Sequence, residues 1–201
     1  EDATEALGSF FNNKHAGTFG SVGCLSFNGN KILTTGGGGA LLTNNQYLAK
    51  KMKNLATTAK VKHKWEFIHD EVGYNFKMPS INAALGLAQL ENLKNILISK
   101  KKLYLKYCRI FENENDYYLV KNPYKSSSNN WLNTLFLKKP SIKFRNKILN
   151  VAHKNKIFLR PVWKPLHTLK HFCKMPKMNL EKSNIIYKSC INLPSSASYL
   201  L

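Results

Sequence analysis

The chain has few acidic residues, almost no arginine, little cysteine and no long apolar run. Only 11 Asp+Glu oppose 31 Lys+Arg across 201 residues, a formal net charge of +20. Such an excess alone would suggest nucleic acid or another polyanion as partner. Yet the arginines number three, Arg109, Arg145 and Arg160, and the lysines are spread along the chain among many asparagines. The densest runs, Lys50-Lys51-Met52-Lys53 and Lys100-Lys101-Lys102, fall in helix-like stretches and read as solvated faces. No zinc-finger spacing, helix-turn-helix or arginine-aromatic ladder accompanies them. A nucleic-acid partner is therefore not expected, although the charge would help attract an anionic small molecule.

Cys24, Cys108, Cys173 and Cys190 are far apart and form no Cys-x-x-Cys pair. That spacing argues against a metal site and a disulfide scaffold, and for reduced thiols in a cytoplasmic protein. No run approaches the ~18 apolar residues that span a bilayer, and none resembles a signal peptide, so no membrane partner is expected. With 43% hydrophobic residues the chain can bury a core, as one domain or two small ones.

What is present is concentrated in one segment. Cys24-Leu25-Ser26-Phe27-Asn28-Gly29-Asn30-Lys31 leads through Thr34-Thr35 into Gly36 to Gly39. A strand-like run delivers the Ser26 hydroxyl, an Asn-Gly turn follows, and Lys31 precedes glycines that let backbone approach closely. A lysine held rigidly and partly out of water can present its neutral, nucleophilic amine to an aldehyde. Most lysines are only solvated surface charge, so the setting must carry the assignment.

Read with its neighbours, this segment resembles the lysine region of the DegT/DnrJ/EryC1/StrS family of pyridoxal-phosphate-dependent sugar aminotransferases, especially those making 4-amino-4,6-dideoxy sugars on nucleotide carriers. Three other segments carry the same resemblance. Glu1-Asp2-Ala3-Thr4-Glu5-Ala6-Leu7-Gly8 is similar to the family segment whose aspartate pairs with the pyridine nitrogen, a place taken by Asp2; Glu5 stands where many members carry a glutamine near the ring hydroxyl. Gly73-Tyr74-Asn75-Phe76-Lys77-Met78-Pro79 resembles the segment whose asparagine reaches the phosphate of the neighbouring subunit's cofactor, which gives that role to Asn75. Arg160-Pro161-Val162-Trp163-Lys164-Pro165-Leu166-His167 resembles a segment near the substrate, making Arg160 a candidate for a diphosphate or donor carboxylate and His167 for the sugar.

The resemblance implies an α/β protein of the aspartate-aminotransferase-like fold type I, with pyridoxal 5'-phosphate bonded to Lys31 and its phosphate held by Ser26. It implies a homodimer with shared sites that moves an amino group from glutamate to a nucleotide-linked 4-keto-6-deoxy sugar. It further implies that residues 1–112 are the later part of a cofactor-binding large domain and 113–201 a small C-terminal α/β domain. Relatives build the phosphate loop and the ring-stacking aromatic before the segment matching Glu1, and they continue past Leu201. On that ground the chain alone is expected to be an inactive fragment. Competing readings are a truncated, non-catalytic member of the family and a polyanion-binding module; dehydratase relatives carry histidine where Lys31 stands.

The periodicities predict strands at 22–27 and 40–43, a helix from Gln46 to about Lys60, and a loop from Val61 to Glu71. A long helical stretch should run from Ser80, as N-cap, toward Phe111, with Gly86 marking close packing. Strands at 117–120 and 131–137, a helix at 141–153 started by Ser141, and a strand at 157–159 should follow. Residues 121–130 read as a surface loop or hinge.

Overall fold

A computed structural model describes residues 1–196 and 198. In chain order its strands and helices are β1 (Phe10–Phe11), β2 (Lys14–His15), β3 (Gly23–Ser26), β4 (Gly39–Leu42), α1 (Gln46–Ala56), β5 (Lys60–Val61), β6 (Ile68–His69), α2 (Ser80–Glu91) and α3 (Leu93–Ile110). There follow β7 (Tyr117–Leu119), β8 (Ser126–Ser127), β9 (Asn133–Leu137), α4 (Ile142–Lys154), β10 (Arg160–Pro161), a 3-10 turn at Leu166–Thr168, α5 (Glu181–Ser189) and β11 (Cys190–Leu193). The chain divides into two compact units: Glu1–Ile96 with Tyr124–Asn129, and Leu97–Pro123 with the residues from Asn130 onward.

The first unit is built on the antiparallel pair β3–β4, in register Gly23 with Leu42 and Ser26 with Gly39. The N-terminal segment adds to its edge: Asp2 bridges Cys24 in parallel, with the Ala3 amide donating to the Cys24 carbonyl at 3.0 Å. Beneath lie the buried side chains of Ala3, Leu25, Phe27 and Leu33. The alternation Gly23, Leu25, Phe27 buries one face of β3 and leaves Ser26 on the other. The Glu1 carboxylate accepts the amides of Gly17, Phe19 and Gly20, which fixes the preceding turn and holds its own pKa below the ordinary carboxylate value.

Helix α1 starts where its sequence says it should, with the Asn45 Oδ1 accepting the amides of Tyr47 and Leu48. It ends at Ala56 rather than near Lys60. Thr58 and Ala59 turn to φ of 66° and 50°, and Lys60–Val61 pairs with Ile68–His69 as a hairpin instead. The chain crosses itself there: a Cβ on Gly73 would lie 2.4 Å from the Ala59 nitrogen.

The stretch from Ser80 is two helices, broken at Asn92, whose carbonyl and side chain bond Asn95 and Ile96. An asparagine that can satisfy nearby groups itself competes with helix continuation. The N-cap of α2 is Pro79 in an extended conformation, and Ser80 is already helical. Only Gly86 of α2 is buried, while Ile81, Leu85, Leu87 and Leu90 are exposed.

In the second unit the sheet runs in the order β10-β11-β9-β7, antiparallel throughout. Leu119, Leu135, Leu137, Leu159, Ile191 and Leu193 form its core, against which Tyr107, Phe111 and Ile148 pack. Helix α4 begins at the expected cap, the Ser141 hydroxyl accepting the Phe144 amide at 3.2 Å. The strand expected at 157–159 begins at Arg160. Before it the buried Leu159 turns its carbonyl to His153 Nε2 at 2.7 Å, and Pro161 is accommodated because β10 is an edge strand.

One reading is overturned outright. Lys100 is not on a solvated face: it is 6% exposed, and its ammonium donates to the Ser195 carbonyl at 2.6 Å and the Trp131 carbonyl at 3.2 Å. Burial pushes its pKa down from 10.5 to about 8. All four cysteines are free thiols, and no described helix is long and apolar enough to cross a membrane.

Candidate functional site

The first unit draws three of the sequence-selected residues together. Lys31 sits on the loop that leaves β3, where its amide closes a turn onto the Asn28 carbonyl at 3.0 Å. Its side chain is only 13% exposed, and its Nζ lies 3.0 Å from Glu5 Oε1. Asp2, brought alongside β3 by the edge pairing with Cys24, accepts the Thr4 hydroxyl at 2.8 Å and the Thr4 amide at 3.2 Å through Oδ1. Those two bonds, joined by the positive charge of Lys31, hold the Asp2 carboxyl below its ordinary value. Asp2 therefore stays ionised to lower pH than an aspartate without these partners.

The lysine loop is braced from beneath. The Thr34 hydroxyl and the Thr35 amide both donate to the Phe27 carbonyl at 3.0 Å, and the Phe27 amide donates to the Gly38 carbonyl at 2.9 Å. From α2, Asn82 Nδ2 donates to the Thr35 carbonyl at 2.5 Å. Gln89 donates to the Thr34 carbonyl at 2.6 Å and accepts the Thr34 amide at 3.1 Å. Gly36 and Gly38 turn through φ of 80° and 104°, and a Cβ on Gly38 would stand 2.9 Å from the Met78 methyl. These two glycines thus serve the bend of the loop and its own packing.

Ser26 and Asn75 belong to the same unit. Ser26 is half-buried, and its hydroxyl is a long 3.4 Å from the Asn28 amide. Asn75 is exposed on the segment that pairs with residues 56–58 after α1, bridged to Thr57. Arg160 and His167 belong to the second unit. Arg160 is exposed on edge strand β10, opposite Asn192. His167 lines an apolar cavity of about 970 Å³ with Trp163, Leu166, Phe172 and Tyr187.

Thr4, Asn82 and Gln89 are the positioning residues that sequence reasoning missed. Asn82 and Gln89 did carry a signal: they are seven residues apart, two helical turns, and are polar positions in an otherwise apolar stretch.

Residues 1–199 match the DegT/DnrJ/EryC1/StrS aminotransferase family. The chain belongs to this family. It is 36% identical over 168 residues to the putative pyridoxal phosphate-dependent aminotransferase EpsN of Bacillus subtilis, covering 84% of this chain and 42% of that protein. It is 33% identical over 203 residues to GDP-perosamine synthase of Vibrio cholerae, covering 97% and 53%. The structure of the Helicobacter pylori aminotransferase PseC, involved in pseudoaminic acid biosynthesis, superposes with a TM-score of 0.91 at 29% identity, over 98% of this chain and 53% of PseC. The chain spans about half the length of the curated relatives it matches. The mixed α/β fold of this DegT-family member is that of the family's solved aminotransferases.

Proposed function

We propose that the protein carrying this sequence is a pyridoxal-phosphate-dependent aminotransferase that moves an amino group from glutamate to C4 of a nucleotide-linked 4-keto-6-deoxy sugar. The observation that carries the proposal is Lys31, an amine largely withdrawn from water on the loop after β3, together with the Asp2 carboxylate paired to the edge of the same strand. This pair fits the cofactor's two demands, an amine for its aldehyde and a counter-charge for its ring nitrogen. When bound, the cofactor supplies a carbonyl carbon that carries the amino group and a ring that withdraws electrons from the carbon losing its proton.

In this reading Asp2 would hold the ring nitrogen, its carboxylate favouring the protonated ring. Lys31 Nζ would bond the cofactor's aldehyde and, once released, would serve as the base that carries a proton from the amino donor and to the keto sugar. The Ser26 hydroxyl binds the phosphate. Asn75 does so from a partner subunit, and the exposed apolar residues of α2 support a homodimer. Arg160 clamps a diphosphate or donor carboxylate, and His167 contacts the sugar.

The chain's large-domain portion would be residues 1–112 and its small domain 113–201. The names of relatives, GDP-perosamine synthase and UDP-4-amino-4,6-dideoxy-N-acetyl-beta-L-altrosamine transaminase, support a nucleotide sugar as acceptor. Free thiols at all four cysteines fit a cytoplasmic setting. The test is transfer from glutamate to a nucleotide-linked keto sugar by the protein and by its Lys31→Ala variant. The wild type should transfer and the variant should not; transfer by both would sink the proposal.

A further inference from the structure

The contact between Lys31 and Glu5 is a charge pair of unusual placement. Lys31 is 13% exposed and Glu5 44%, so the carboxylate stands at the mouth of the site with the amine behind it, 3.0 Å away. The two residues are held from different directions. Glu5 follows the edge segment that pairs Asp2 and Ala3 with Cys24, and its carbonyl accepts the Asn129 side chain at 2.8 Å. Lys31 rides on the loop braced by Asn82 and Gln89. Neither backbone needs to move for the pair to persist. A carboxylate at this distance accepts a hydrogen bond from the amine and fixes its direction.

We propose that Glu5 is a positioning residue for Lys31: it accepts a hydrogen bond from the amine and holds it at one place in the site whenever that amine is not bonded to the cofactor. This rests on the aminotransferase reading above. An amine that must leave the cofactor and then take and return a proton passes through a stage in which the cofactor no longer fixes its place. Without an anchor a lysine side chain samples many rotamers. Glu5 narrows that choice through the 3.0 Å contact. Glu5 accepts a hydrogen bond from Lys31 Nζ and takes no part in the proton transfer itself. A glutamine at position 5 would match the shape but lose the charge.

The test uses the protein stripped of cofactor. Wild type and Glu5→Gln are exposed briefly to an amine-acylating reagent at neutral pH, and modification of Lys31 is quantified by peptide mass spectrometry against Lys77 in the same digest. An amine held against a carboxylate is less available to the reagent than a mobile one, so loss of the pair should raise the Lys31 rate about two- to fivefold relative to Lys77, in keeping with one partly exposed ion pair. Raised salt should bring wild type toward the variant. Equal Lys31 rates in the two proteins would overturn the proposal.

A parallel sample of each, reloaded with pyridoxal phosphate and reduced with borohydride, separates the two hypotheses. An adduct on Lys31 in both proteins with equal acylation rates removes the role of Glu5 and leaves the cofactor reading intact. No adduct on Lys31 in either protein removes the cofactor reading itself, and with it the ground for a Glu5 role.

Discussion

Gln89 meets the backbone of Thr34 with both halves of its amide, donating to the carbonyl at 2.6 Å and accepting the amide at 3.1 Å. Residues 55 positions apart are thereby joined as two strands would be, and the loop that carries Lys31 is tied to α2. Replacing Gln89 by Leu keeps the volume but leaves both Thr34 groups without these partners. We expect a loss of about 1–2 kcal/mol in unfolding free energy, measured by urea denaturation. Capture of pyridoxal phosphate should weaken as well. An unchanged urea midpoint would mean that water serves Thr34 equally well.

Gly86 tests the same contact from the helix side. In an exposed helix Gly→Ala gains up to about 1 kcal/mol. Here the new methyl would lie 2.8 Å from Thr35 Cγ2, a side chain 1% exposed whose hydroxyl is bonded to the Gly37 carbonyl. Rotating Thr35 away breaks that bond. Gly86→Ala is therefore expected to destabilise by about 1–2 kcal/mol despite its helix propensity, and a stabilised variant in thermal or urea unfolding would contradict the packing.

Lys100 makes stability depend on pH in a direction opposite to that of an ion-paired lysine. Above its unfolded value near 10.5 the side chain is neutral in both states and exacts no cost. Between 10.5 and about 8 the unfolded chain takes up a proton that the folded one refuses, so stability falls as pH falls, and below about 8 the full penalty is present. Relative to Lys100→Met, the wild type should gain on the order of 2–3 kcal/mol as pH is raised across that window. The comparison is made by urea unfolding of both proteins at several pH values; a constant difference would contradict it.

The lysine loop could be read from sequence because its signals are local: a hydroxyl, a turn, an amine and glycines within one short segment. The same holds for the start of α1 at Gln46 and for α4, whose cap at Ser141 is the next residue to the helix. Lys100 could not be read, because what receives its ammonium lies 31 and 95 residues away and its neighbours Lys101 and Lys102 are exposed as lysines usually are. The 26-residue separation of Glu5 and Lys31 hid their pairing in the same way. Local competition misled elsewhere: Asn92 interrupts a helix that apolar periodicity would continue, and Thr58 adopts a conformation its side chain disfavours because Gly73 backbone crosses there.

The most direct test of the account is to load the protein with pyridoxal 5'-phosphate, reduce it with borohydride and locate the added mass by peptide mapping. The account predicts one dominant adduct, on Lys31, lost in Lys31→Ala and weakened in Asp2→Asn. A label scattered over the surface lysines, or one that survives Lys31→Ala, would contradict it.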